Sequence, residues 1–289
     1  MSRGIDISHN NGAINWSAVK DAGIEFAIVR AGYGQIEDRN FKANIEGAAG
    51  VGLPVGIYYF SYALGAADAE KEAAHCCGLL QAYEIDLPVF FDFEYASEQF
   101  GARYGVTYTR ELRTAITKAF CERVRAGGYT PGIYTNVDYI TSRLNWGELA
   151  CYPLWLAQWP HGTRLISFGD VDEKSVNTKY GKPVIWQIGC GKVSGILTDT
   201  DLNYGYILLP AKTLPHRPDA CLKPGDKVRV INTTTAGGVR RAKLYGSNKT
   251  FVVYYDCYDV ISASGNRIII GKGKVVTAAV DAGDLQKVR

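Results

Sequence analysis

"PVFFDFEYAS", residues 88–97, decides how this chain is to be read. Pro88 opens it, and Val89, Phe90, Phe91 and Phe93 are the residues of a buried strand. Yet Asp92 and Glu94 stand within it. A buried carboxylate is costly unless it is paired or hydrogen-bonded. In a strand, residues i and i+2 share a face. Asp92 and Glu94 are therefore expected to project together, with Phe91 and Phe93 turned toward covering helices. Two acids on one side of an apolar strand point to a functional site.

Outward from this stretch, strand and helix signals alternate through residues 1–209. "RGIDIS" (3–8), "EFAIVRAGYG" (25–34), "PVGIYYFSYA" (54–63), residues 88–94 and "PGIYTN" (131–136) read as five strands. Helical stretches follow them at 15–23, 40–52, 66–84 and 109–128, with a short helix after the fifth strand. The stretch 109–128 has Leu112, Ile116, Ala119, Phe120 and Val124 on one face. "YPLWLAQW" (152–159), "PVIWQIG" (183–189) and "GILTDTDLN" (195–203) read as three more strands without long helices between them. This order predicts a closed parallel barrel whose last third is irregular, with an open doubly wound sheet as the alternative.

In a parallel barrel, inward side chains at the C-terminal strand ends form the site. Glu94 lies at such an end. Asp6 lies at the matching place in the first strand, with Ile5 and Ile7 outward, and Asp201 near the end of the eighth strand, which closes beside the first. Asp6, Asp92, Glu94 and Asp201 are thus expected at one mouth. Clustered carboxylates also hold Mg²⁺ or Ca²⁺, but no D-x-D-x-D-G loop supports that reading, and neither metal nor cofactor is expected. His9 follows the first strand and is placed to line the mouth. Arg30 ends the second and is placed to pair with an acid there. Tyr33, Tyr58, Tyr59, Tyr62, Tyr134, Trp155, Trp159 and Trp186 collect at the same strand ends, as a sugar-binding cleft requires.

"LLPAKTLPHRPDACLKPGD" (208–226) holds four of the ten prolines, so residues 210–224 read as a linker. Beyond it the pattern turns to period two, in "KVRVIN", "FVVYYDCYDVISAS", "RIIIG" and "KVVTAAV". Residues 225–289 are therefore expected to form a small all-β barrel. From Asp219 onward the chain has 12 Lys and Arg, six Asp and no Glu, a net +6 against +3 for the whole. A basic tail on a nearly neutral body suggests two tasks. Tyr254, Tyr255 and Tyr258 are the residues placed to line a pocket there.

No run reaches the ~18 apolar residues of a membrane span, and "MSRGIDISHNNG" has no apolar signal-peptide region. "RAGYGQ" lacks the spacing of a phosphate loop. Neither nucleic-acid binding nor membrane insertion is expected. The seven cysteines show no C-x-x-C spacing and read as thiols of a reducing compartment.

The ordered set "GIDISHNNGAINWSAVKDAGIEFAIVRAGYG", "VGIYYFSYA", "FFDFE", "GIYTN", "LWLAQW", "WQIG" and "TDLN" resembles the family 25 glycoside hydrolases, the Chalaropsis-type lysozymes. The resemblance spans residues 4–203. It implies an irregular (β/α)5β3 barrel and cleavage of the β-1,4 bond between N-acetylmuramic acid and N-acetylglucosamine in bacterial peptidoglycan. By motif position it makes Glu94 the general acid, Asp92 its partner carboxylate, and Asp6 and Asp201 the remaining acids. "TDTDLN" departs slightly from the more familiar "GVDLN", but the Asp is retained. Tyr33, Tyr59, Tyr62, Tyr134, Trp155 and Gln187 form the expected substrate-binding set. Residues 225–289 resemble bacterial SH3-like wall-binding modules. The combination looks like a phage endolysin that collects in the host bacterial cytoplasm before reaching the wall, or an autolysin. A glycan-binding protein without catalysis and a chitinase-type glycosidase are the rival readings.

Overall fold

Strands rich in aromatic and β-branched residues close into a ring in the first part of the chain. The computed structural model describes residues 1–206, 222–236, 239–264 and 267–288. β1 (Ser2–Ile7), β2 (Phe26–Tyr33), the two-residue β3 (Ile36–Glu37), β4 (Val55–Phe60), β5 (Val89–Asp92), β6 (Pro131–Asn136), β7 (Leu154–Ala157), β8 (Ile185–Gly191) and β9 (Thr200–Gly205) share one sheet. β1 pairs with both β2 and β9, so eight strands close on themselves and β3 is a flap on β2. Around the ring, pairing is parallel from β1 to β8, and only the flap β3 runs antiparallel to β2. β9 is antiparallel to both neighbours, which corrects the expectation of a fully parallel barrel. The connection over residues 192–199 is too short for a helical crossover, and a short connection returns the chain antiparallel.

α1 (Trp16–Asp21), α2 (Phe41–Gly50), α3 (Ala66–Leu80), α4 (Tyr95–Ala102) and α5 (Arg110–Ala126) surround the ring, and α6 (Trp146–Leu149) is a single turn. α4 was not expected. It buries only Ser97 and Gly101, so it carries no apolar period to read. It also shortens the strand predicted over 88–94, which ends at Asp92 because Glu94 is the residue that caps α4. β9 starts at Thr200 rather than 195.

The inside of the ring is filled at its lower end by Phe26, Ile28, Phe90, Trp155 and Ile185. Glycines on neighbouring strands make room for them. A Cβ at Gly4 would lie 2.2 Å from the Phe26 ring, and one at Gly132 2.5 Å from the Phe90 ring. Such small-against-large filling makes the ring a packed core and leaves only its upper end for chemistry. Outside, Phe91 meets Phe120 of α5 at 4.7 Å and Phe93 meets Tyr108 at 5.2 Å, as strand alternation predicts.

The chain divides into two compact units, Met1–Trp146 with Tyr152–Leu214, and Pro215–Arg289 with Gly147–Cys151. The second is all-β. β10 (Lys227–Val230), β14 (Tyr258–Ser264), β15 (Arg267–Lys272), β16 (Val275–Asp281) and β17 (Leu285–Lys287) form one antiparallel sheet. β11 (Thr234–Ala236), β12 (Val239–Lys243) and β13 (Thr250–Val252) form another. Val228, Tyr258, Val260, Ile268, Ile270 and Val280 build a core of its own. Tyr258 does not line a pocket. It is fully buried, and its hydroxyl accepts the Tyr254 and Tyr255 N–H groups at 2.9 and 3.2 Å. Of the expected linker 210–224, residues 210–221 lie outside the described residues.

Cys76, Cys77, Cys121, Cys190 and Cys257 are free thiols, whereas Cys151 is disulfide-bonded. The reading of every cysteine as a thiol is corrected at that position. Among the described residues no helix is long and apolar enough to cross a membrane.

Candidate active site

The chain stays extended past the end of β5 through Glu94 (φ −125°, ψ −175°) before α4 begins. Asp92 and Glu94 therefore keep the i, i+2 relation of a strand although only Asp92 belongs to one. The turn is held by buried Ser97, whose hydroxyl accepts the Glu94 N–H at 3.1 Å. One residue on, Glu98 accepts Arg113 of α5 at 2.8 and 2.7 Å and the Tyr139 hydroxyl at 2.6 Å. The helix that starts at Glu94 is thus anchored on two sides by charge-assisted bonds.

Asp6 faces Asp201 directly across the β1–β9 pair, an arrangement that like charges ordinarily avoid. The Asp6 Oδ2 accepts Nδ2 of Asn203 at 2.8 Å and Nε2 of Gln187 at 3.0 Å. Those amides are oriented in turn. Trp155 Nε1 donates to Asn203 Oδ1 at 2.8 Å, while the Tyr134 hydroxyl and Trp159 Nε1 donate to Gln187 Oε1 at 2.9 and 3.0 Å. Burial pushes Asp6 up to about 6, against the amide donors that favour its charge. Burial and then the Asp6 charge push Asp201 up to about 8.

Asp92 has a different environment. Its Oδ1 is buried with no hydrogen-bond partner. Burial, followed by the charges of Glu94 and Asp6, holds it well above the usual carboxylate range, with Arg30 pulling the other way. Glu94 is raised as well, by burial first, with the Tyr134 hydroxyl opposing and the Asp6 charge adding. The four acids drive one another toward protonation.

The six expected substrate-binding residues divide evenly. Tyr33, Tyr62 and Tyr134 are half-buried. Tyr59 is fully buried and turned outward, where its hydroxyl donates to the Gly34 carbonyl at 2.9 Å and its ring meets Phe120 at 5.8 Å. It sits one residue out of phase with Tyr58, whose buried hydroxyl feels the charges of Arg30, Asp6 and Asp92. Trp155 lies in the packed lower layer, 1 % exposed. Gln187 is 2 % exposed and its amide is occupied on both ends. These last two orient Asp6 instead of offering a surface to a sugar. Arg30 does find an acid, but that acid is Asp38, 2.8 Å away, which also accepts from the His9 backbone and lies 2.8 Å from its ring.

Asn203 and Asp38 are the site residues that the sequence reading missed. Asn203 follows Asp201 by two in "TDLN", so the same-face rule applied once more finds it. Asp38 carries no such signal, because its approach to Arg30 depends on the β2–β3 turn. Among the described residues no group of His, Cys, Asp and Glu is arranged to hold a metal ion.

An α/β barrel with clustered carboxyls at its C-terminal mouth and aromatic rings beside them belongs to the glycoside-hydrolase class. The chain belongs to the glycosyl hydrolases family 25, whose model matches residues 5–187. It is 31% identical over 209 residues to Lysozyme M1 of Streptomyces globisporus, covering 70% of this chain and 66% of that protein. The fold is like that of the modular autolysin LytC from Streptococcus pneumoniae, solved in complex with a synthetic peptidoglycan ligand (TM-score 0.57, 23% identity, 70% of this chain and 46% of that one). It is also like the CTP1L endolysin (TM-score 0.56, 24% identity, 71% and 66%). The chain thus spans under two thirds of the length of these relatives.

Proposed function

We propose that this protein is a muramidase that hydrolyses the β-1,4 bond between N-acetylmuramic acid and N-acetylglucosamine in peptidoglycan. The observation that carries the reading is the orphaned Oδ1 of Asp92 beside a carboxyl, Glu94, that burial and the Asp6 charge shift toward its protonated form. Hydrolysis of a glycoside needs one group to give a proton to the leaving oxygen and another to stabilise positive charge at C1.

Glu94 gives its proton to the glycosidic oxygen as the C1–O bond breaks. The unpartnered oxygen of Asp92 is an acceptor for the substrate's 2-acetamido N–H. Donation of that N–H favours the charged form of Asp92, whose proton passes to solvent, and turns the acetamido oxygen onto C1, closing an oxazolinium ring. Water then opens the ring at C1 and returns a proton to Glu94. Direct attack by Asp92 on C1 is the second route, but the missing donor at Oδ1 favours the first. The charge of Asp6 favours the protonated form of Glu94. Tyr33, Tyr62 and Tyr134 offer rings and hydroxyls to the sugar.

The all-β unit is an SH3-like wall-binding module in this proposal, with the exposed Tyr254 and Tyr255 as its contact residues. The whole is a phage endolysin held in the host bacterial cytoplasm until release. Among the described residues five thiols are free, which suits that compartment, while the Cys151 disulfide pulls against it. Mass spectrometry of digested peptidoglycan tests the activity. Products should end in reducing N-acetylmuramic acid. Reducing N-acetylglucosamine ends, freed peptide stems or cleavage of chitin oligomers in preference to peptidoglycan each defeat it.

A further inference from the structure

From the rim of the acid site, five aromatic rings touch in succession. The ring centroids of His9 and Tyr33 lie 6.3 Å apart, Tyr33 and Tyr62 6.4 Å, Tyr62 and Phe100 4.6 Å, and Phe100 and Tyr104 4.9 Å. The near end belongs to the mouth, because the Arg30 guanidinium that acts on Asp92 also stands 5.3 Å over the Tyr33 ring. The far end is open, with Tyr104 64% exposed. Tyr33, Tyr62 and Phe100 are half-buried and each keeps part of its ring in solvent.

Core packing does not account for this row. α4 buries Ser97 and Gly101, whereas Phe100 is only half-buried and Tyr104, just past the end of the helix, is exposed. The middle of the row is built with unusual care. Glu72 of α3, buried and unused by the proposed chemistry, accepts the Ser61 hydroxyl at 2.6 Å and the Tyr62 N–H at 2.8 Å. A carboxylate in the core thereby fixes the backbone that carries the Tyr62 ring. Rigid support of this kind is what a binding surface needs.

We propose that Phe100 and Tyr104 extend the sugar surface of Tyr33 and Tyr62 into a glycan subsite remote from the scissile bond, and this rests on the muramidase reading of the acid site. It holds pyranose rings of the same strand whose β-1,4 bond lies between Asp92 and Glu94. Continuity with the mouth argues for that occupant, as does chemistry. A pyranose offers an apolar C–H face to a flat ring and hydroxyls to the tyrosine O–H groups. The ridge ties the enzyme to long strands over short ones.

The test uses the full chain and peptide-free glycan strands, comparing a tetrasaccharide with strands of eight or more sugars. The readout is the ratio of kcat/KM for long strands to that for the tetrasaccharide. An aromatic contact is worth about 2- to 12-fold in binding, so Tyr104→Ala should lower the ratio about 3- to 10-fold, through KM. Tyr104→Trp, which keeps a flat face, should preserve it. Phe100→Ala should act in the same direction, with its folding checked by circular dichroism. An unchanged ratio in Tyr104→Ala overturns the subsite. So does a loss that appears only when strands carrying peptide stems are assayed alongside, which would assign the ridge to peptide. If the unaltered protein cuts neither strand, the muramidase reading itself fails, and that outcome is distinct from both.

Discussion

In the proposed chemistry Glu94 has the largest part, and its substitution is the sharpest test. Glu94→Gln keeps the shape but has no proton to give, so kcat on cell walls should fall at least ~10²-fold. Circular dichroism should show an unchanged fold. Asp92→Asn should be comparably severe, because an amide cannot take the charge that the acetamido group demands. The neighbours set the working pH. Asp6 raises Glu94 through its charge, so Asp6→Asn removes a repulsion that keeps Glu94 protonated. The alkaline limb of the kcat/KM profile should then move to lower pH, and an unmoved limb would exclude charge tuning by Asp6. Stability carries the same signature. Folded Asp201 keeps its proton to about 8, whereas an unfolded aspartate loses it near about 4. Between those values the folded state binds the extra proton, so stability falls as pH rises. Asp201→Asn should flatten the curve of melting temperature against pH and raise the melting temperature at pH 8.

Among the elements, the barrel strands do two jobs at different heights. Low in the ring they alternate glycine with large rings, as Gly132 does beneath Phe90. A methyl there has no space, since Phe90 is fully buried and packed at 5.2 Å on Trp155. Gly132→Ala should therefore destabilise by ~1–3 kcal/mol, read as a lower urea midpoint with an unchanged slope. High in the ring the same strands hold carboxyls and the amides that orient them. α4 joins the two jobs, because the turn that ends β5 sets the direction of Glu94. Glu98, Arg113 and Tyr139 brace that turn from outside the site.

For the whole molecule, the all-β unit has its own core and its own charge, +6 from residue 219 on. Residues 1–209 should cut soluble peptidoglycan fragments alone, since all four acids lie there, but clear intact cells more slowly. Tethering raises the local substrate concentration without adding a contact to the chemistry. Residues 219–289 alone should bind Gram-positive walls. Binding that collapses by ~1 M salt would assign the anchoring to charge, and binding that survives would assign it to a pocket at Tyr254 and Tyr255. Equal clearing of cells with and without residues 219–289 would remove the anchor altogether.

The order of the eight barrel strands, most of the helices between them, the placing of the four acids toward strand ends and the family pattern were legible from residues 1–209 alone. Alternation of side chains and the position of an acid at a strand end are local properties that a sequence displays directly. Three things were decided only by tertiary structure. β9 runs antiparallel because of how a short connection closes a ring. α4 forms without an apolar period because Glu98 finds Arg113 and Tyr139 across space. Tyr59, Trp155 and Gln187 leave the substrate surface because depth in a barrel depends on register against neighbouring strands, which no single strand contains. The orphaned oxygen of Asp92 belongs to the same kind, since lacking a partner is a property of everything around a residue.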